Sequence, residues 1–225
     1  MIKGLDISHH NKNMKDPEAI LNYDFIIMKA SEGRGFRDPH VDKYMDILRD
    51  PKYKKCPLIG FYHFARPDLG NSPEAEAEQF LISIRTYIRF KPLVALDVEG
   101  GALFWADDLD EWCLKWCQHV YEHLGYKPLI YCSAAETRRF KKCTKWGCGL
   151  WVAKWGSKPT KKEISPWDVW AIWQYTSSGI CSAVRVDEDY FNGSKEQFLK
   201  YCEVLNEEEA ENNRSTDSAR DRQNS

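Results

Sequence analysis

Apolar positions in this chain switch between two rhythms, the alternation of a strand and the i, i+3, i+4, i+7 recurrence of an amphipathic helix. Residues 2–8 alternate and predict a first strand, and Asp16-Pro17 marks a helix start. Residues 25–31 predict a second strand. After Asp38-Pro39, the positions of Val41, Tyr44, Met45 and Leu48 predict a helix. The pair repeats with a strand at 58–65, then a helix opened by Ser72-Pro73 with Ala77, Phe80, Leu81, Ile84 and Ile88 on its buried stripe. A fourth strand lies within 91–101. The helix near 108–124 carries Leu109, Trp112, Cys113, Trp116, Val120 and Leu124 inward and ends at Gly125.

From there the connections shorten. Residues 128–133 predict a fifth strand, and the spacing of Ser133 and Glu136 a capping box for a short helix. Residues 149–155 and 170–176 predict a sixth and a seventh strand, with little room for helices between them. An eighth, at 184–187, follows a turn at Ser177-Ser178-Gly179, and Ser194 and Gln197 cap a last helix. Eight strands alternating with helices predict an irregular α/β barrel, with helices reduced in its second half. The barrel is expected to span 1–205. Residues 206–225 hold no apolar residue larger than alanine and are expected to form a disordered polar tail.

Composition narrows this picture only slightly. With 43% hydrophobic and 29% charged residues the chain is ordinary for a globular protein. A net charge of -2 gives no electrostatic footprint for nucleic acid or an anionic membrane. No stretch approaches the ~18 apolar residues of a membrane helix, and an acid at position 6 interrupts any signal-like start. Synthesis in the cytoplasm is therefore expected, with the eight cysteines as reduced thiols. Nine Trp and eleven Tyr suit either a core or a carbohydrate cleft.

Chemistry enters at 91–101, Lys-Pro-Leu-Val-Ala-Leu-Asp-Val-Glu-Gly-Gly. Alternation puts Leu93, Ala95, Asp97 and Glu99 on one face, and Val94, Leu96 and Val98 on the other. Two acids roughly 6.5–7 Å apart on an apolar strand repel when both are ionised. One is expected to hold a proton, the arrangement that glycosidic cleavage requires. Barrels place catalytic groups at the C-terminal ends of strands. Those ends supply Asp6, Tyr62, Asp97, Glu99, Gln174 and Asp187, with Trp155 and Trp173 close by in sequence.

Six motifs then occur in order: Gly4-Leu5-Asp6-Ile7-Ser8, Lys29-Ala30-Ser31-Glu32-Gly33, Gly60-Phe61-Tyr62-His63-Phe64-Ala65, Leu96-Asp97-Val98-Glu99, Trp173-Gln174-Tyr175 and Val186-Asp187. Over nearly everything from 2 to 205 the chain resembles the N-acetylmuramidases of glycoside hydrolase family 25. The resemblance implies a flattened barrel that cleaves peptidoglycan between N-acetylmuramic acid and N-acetylglucosamine. It implies Glu99 as general acid, Asp97 as its partner, Asp6 and Asp187 as the rest of the acidic cleft, and Tyr62 on the substrate side. Trp155, Trp173 and Gln174 are further candidates for substrate contact. A monomer without cofactor, acting on the wall after release as a phage-type lysin would, is expected. The chain departs from many relatives at Ser8-His9-His10-Asn11, beside Asp6, and in having only a polar tail where they carry a wall-binding module.

Two other readings use the same acids: a magnesium- or calcium-dependent phosphodiester hydrolase, and a glycan-binding protein without activity. Metal ligands outside the cleft are not expected. Cys113 and Cys117 fall on nearly the opposite helix face from His119 and His123, so the two pairs cannot share an ion. The thiols are expected to be buried and these histidines exposed. Cys143 and Cys148 bracket a turn and are open to a disulfide or one edge of a zinc site. By parity His63 points away from the mouth, as a structural hydrogen-bonding residue.

Overall fold

The structure, a computed structural model, describes residues 1–104 and 108–203. The tail at 206–225 and Leu205 lie outside the described residues. Nine strands form one sheet: β1 (Ile2–Ile7), β2 (Phe25–Glu32), β3 (Phe36–Arg37), β4 (Leu58–Phe64), β5 (Leu93–Asp97), β6 (Leu129–Ser133), β7 (Gly149–Ala153), β8 (Ile172–Cys181) and β9 (Val184–Phe191). Their order is β1-β9-β8-β7-β6-β5-β4-β2-β3, and β1 also pairs with β2. Eight strands thus close into a barrel, with the two-residue β3 attached outside. All pairs from β1–β2 round to β7–β8 are parallel. β9 runs antiparallel to both of its neighbours.

The helices are α1 (Val41–Arg49), α2 (Pro73–Ile84), α3 (Leu109–Leu124), α4 (Lys141–Trp146) and α5 (Lys195–Lys200). α3 begins where the Asp108 side chain accepts from Glu111 N–H and ends at Gly125, whose φ of +78° suits a residue without Cβ. Its expected stripe is buried throughout. The Asp16-Pro17 start opens a 3₁₀ helix rather than an α-helix, and Ser194 with Gln197 forms the expected capping box. Ser133 and Glu136 do not: a 3₁₀ turn at Thr137–Arg139 follows without side-chain capping.

Two apolar shells hold the barrel. Phe25, Ile27, Leu93, Ala95, Leu129, Trp151, Ile172 and Phe191 fill its interior. Val94, Leu96 and Val98 face the outer shell, under the helices. The split of β5 follows the expected parity. At the base, Phe198 of α5 packs against Phe25 and Phe191 at centroid distances of 5.4 and 5.2 Å. Gly4 is required there, because a Cβ would lie 2.4 Å from the Phe25 ring. The base is therefore plugged by aromatics, and the opposite end, where β1, β2 and β4 to β8 terminate, carries the polar residues.

The end of the chain corrects one expectation. Ser177, Ser178 and Gly179 lie inside β8, and the reversal comes later, at Ser182 and Ala183, with φ of +47° and +66°. β8 and β9 form an antiparallel hairpin, with register shifts absorbing the extra residues of β8. Asp187 therefore reaches the mouth on a strand running toward the base.

Candidate active site

Strand register arranges the inward-facing side chains of the upper barrel into a ring. Asp6 stands opposite Asp187, Lys29 opposite Tyr62, Asp97 opposite Tyr131, Tyr131 opposite Trp151, and Gln174 opposite both Ala153 and Asp189. The parity that made β5 apolar on both faces turns Asp97 inward. The strand stops at Asp97, whereas the predicted strand ran on through Glu99. Val98 N–H still reaches Tyr131 C=O, and Glu99 stands exposed just before Gly100, φ +56°. Asp97 is buried and Glu99 is open to substrate.

Gln174 fixes much of the ring. Its Oε1 accepts from Tyr131 O–H at 3.1 Å and from Trp155 Nε1 at 3.3 Å, and its Nε2 donates to Asp6 Oδ2 at 2.9 Å. Two donors on one end and a carboxylate on the other leave a single orientation for the amide. Trp155 lies past the end of β7, with 63% of its surface exposed. It offers an open indole face at the mouth.

The acids crowd one another. Burial pushes Asp6 well above the usual carboxylate range, and Asp189 and Asp187 push it further. Asp97 is raised by burial and by Glu99, against the lowering effect of Lys29. Glu99 is raised by the protein around it and by Asp187, again against Lys29. Burial also raises Asp187 and lifts Asp189 to about 7. The reading of one strained pair thus widens to five carboxyl groups sharing few protons. Asp97 Oδ1 is buried without a hydrogen-bond partner, an arrangement costly for the fold and suited to a ligand's N–H.

Tyr62 faces these acids, and burial together with the surrounding charge keeps its hydroxyl protonated. Trp173 is the sequence candidate the structure moves out of the cleft. It occupies the opposite face of β8 from Gln174, is buried in the outer shell and donates from Nε1 to Lys154 C=O at 2.7 Å. Of the seven others, six (Asp6, Tyr62, Asp97, Gln174, Asp187 and, at the rim, Glu99) are brought together, and Trp155 lies beside Gln174.

Four residues of the ring were missed. Asp189 is fully buried and accepts from Trp151 Nε1 at 2.8 Å. Extending the alternation two residues beyond Asp187 would have found it. Tyr131 and Trp151 look like core aromatics in sequence. Lys29, in a motif already noted, is buried with Nζ 2.7 Å from Glu32 and 4.5 Å from the Phe64 ring centroid. It is a cation directed at the acids. Beyond it, Glu32 binds Arg66 at 2.9 Å, and Arg66 binds Asp68.

The divergent run beside Asp6 forms a 3₁₀ turn capped by Ser8 and Asn11. His9 donates its backbone N–H to Asp38 Oδ2 at 2.9 Å, with its Nδ1 2.7 Å from the same oxygen. His63 is buried as expected, with Nδ1 2.8 Å from Ser31 Oγ and Nε2 2.9 Å from Glu76 Oε2. Seven of the cysteines, Cys143 and Cys148 among them, are buried free thiols, and Cys56 is free and exposed.

Comparison with known proteins agrees with this geometry. The sequence model of glycosyl hydrolases family 25 matches residues 5–184. Lysozyme M1 of Streptomyces globisporus is 28% identical over 219 residues, spanning 88% of this chain and 70% of that protein. Among solved structures, a family 25 lysozyme from Aspergillus fumigatus superposes with a TM-score of 0.74 at 26% identity, over 89% of this chain and 98% of the other. The CTP1L endolysin gives 0.68 at 29% identity, over 90% and 69%. With its barrel, its acidic mouth and a family match along most of its length, the chain belongs to glycosyl hydrolases family 25 and is a glycoside hydrolase of the lysozyme type.

Proposed function

We propose that this enzyme hydrolyses the β-1,4 bond between N-acetylmuramic acid and N-acetylglucosamine in peptidoglycan with retention, Glu99 serving as general acid and Asp97 as the stabilising and orienting carboxylate. One observation carries the assignment: an accessible carboxyl with a raised pKa, Glu99, stands beside a buried carboxyl with an unpartnered oxygen, Asp97. Glu99 holds its proton at neutral pH more readily than an ordinary glutamate and can reach a glycosidic oxygen. As the C1–O bond breaks, the substrate's 2-acetamido oxygen closes on C1, and its N–H is met by Asp97. Asp6 and Asp187 offset the positive charge that develops at C1. Glu99, now ionised, takes a proton from the water that opens the intermediate, which returns the sugar with its original anomeric configuration.

The remaining contacts have simpler parts. Trp155 offers a sugar face a stacking surface, Tyr62 donates a hydrogen bond, and Gln174 keeps Asp6 in place. The enzyme works as a monomer on the glycan strand. Digested peptidoglycan reduced with borohydride and analysed by mass spectrometry tests the bond assignment. N-acetylmuramitol at the new ends is expected, and N-acetylglucosaminitol would overturn it.

A further inference from the structure

The outer surface of the barrel brings together three groups that the sequence kept apart. His119 and His123 lie one turn apart on α3, so both imidazoles project from one face. Packing of α2 against α3 carries Glu78 to the same place. The ligand atoms of the three lie within 4.8 Å of one another. Glu78 Oε1 is 2.7 Å from His119 Nε2 and 3.8 Å from His123 Nε2. The imidazole rings are 4.8 Å apart at 33°.

We propose that Glu78, His119 and His123 form a binding site for a divalent transition metal ion of the zinc class. Zn–N and Zn–O bonds of about 2.0–2.2 Å at tetrahedral angles separate two ligand atoms by roughly 3.3–3.5 Å. The two observed separations bracket that value, so a small side-chain movement seats the ion. His123 Nδ1 lies 2.9 Å from His119 C=O, a contact that holds the ring with Nε2 turned toward Glu78 Oε1, 3.8 Å away. On binding, the proton that His119 shares with Glu78 passes to solvent or to Nδ1. Two imidazoles and one carboxylate suit zinc over magnesium or calcium, and leave a fourth position for water or a donor from another molecule. The site lies on the helical cover, apart from the ring of acids inside the barrel.

The cysteines make a Co²⁺ titration of the full chain under reducing conditions the informative experiment. Cobalt bound by nitrogen and oxygen shows weak visible bands, whereas thiolate ligation adds an intense near-ultraviolet band. One equivalent without the thiolate band is expected, displaced by Zn²⁺. Affinity should fall at least about tenfold in His123→Ala and in Glu78→Gln, the lower end of what even outer-shell partners of a metal contribute. These surface changes leave the fold intact by circular dichroism, and peptidoglycan cleavage is unchanged. Unaltered affinity in both variants, a strong thiolate band or no binding would overturn the proposal.

Discussion

Gln174 Nε2 donates to Asp6 Oδ2 at 2.9 Å, joining residues 168 positions apart and bridging β8 to β1 across the antiparallel β9. The bond favours the ionised form of an acid that burial and two neighbouring aspartates drive toward protonation. Gln174 is in turn held by Tyr131 and Trp155, so the charge state of the cleft floor is tied to the position of the rim tryptophan.

Gln174→Ala is therefore expected to cost more than a contact. A hydrogen bond to a charged group contributes about 1.5–3 kcal/mol, so peptidoglycan cleavage should fall by roughly ten- to a hundredfold. Asp6 should also hold its proton to higher pH. The acid limb of the pH–rate profile is expected to move upward, and a lower rate with an unmoved limb would mean that Gln174 does not act through Asp6.

Asp189 sets a dependence of stability on pH. Its pKa rises from an ordinary 3.8 to about 7 on folding, so the native state binds more protons than the unfolded chain between those values. Its contribution is fully present below about 3.8 and is lost as pH rises through 7. Asp6 and Asp97 act in the same direction. Asp189→Asn keeps an oxygen for Trp151 and does not titrate in this range. Tm of the native enzyme should fall between pH 5 and pH 8, and the variant should show a shallower fall. Equal slopes would contradict the assignment.

The parity of β5 made the inner position of Asp97 legible, and the stripe of α3 was complete in sequence. The residues that failed did so for physical reasons. Trp173 and Trp155 look equivalent as aromatics near a strand end. Only the inward turn of Gln174 decides that Trp173 faces the outer shell, and only the chain leaving β7 decides that Trp155 is exposed. The hairpin at Ser182-Ala183 places two residues with side chains at positive φ, where glycine is the usual signal, while the glycine nearby sits inside β8. Asp189 lies beyond the strand predicted at 184–187, whereas β9 runs on to Phe191. Glu78 and the two histidines meet through helix packing, which no spacing within one helix reveals.

His63 tests the outer shell independently of catalysis. Its imidazole joins Ser31 to Glu76, and Glu76 also accepts from Arg66 N–H at 3.0 Å and Asn71 Nδ2 at 2.8 Å. His63→Leu leaves two buried polar groups short of a partner and is expected to cost about 1–3 kcal/mol for each. Denaturant unfolding should show this loss, while activity per folded molecule near 20 °C stays close to that of the native enzyme. A stable but inactive variant would place His63 in the chemistry.

The central claim is that the exposed acid, Glu99, donates the proton and the buried one, Asp97, does not. The most direct measurement is the rate of Glu99→Gln on peptidoglycan and on an aryl glycoside whose leaving group needs no protonation, with Asp97→Asn measured alongside. Cleavage of the natural glycan by Glu99→Gln should fall by roughly 10²–10⁴-fold, with much of that loss spared on the activated substrate. Asp97→Asn should lose comparably on both. Rescue of Asp97→Asn by the activated substrate, and not of Glu99→Gln, would reverse the two roles and contradict the account.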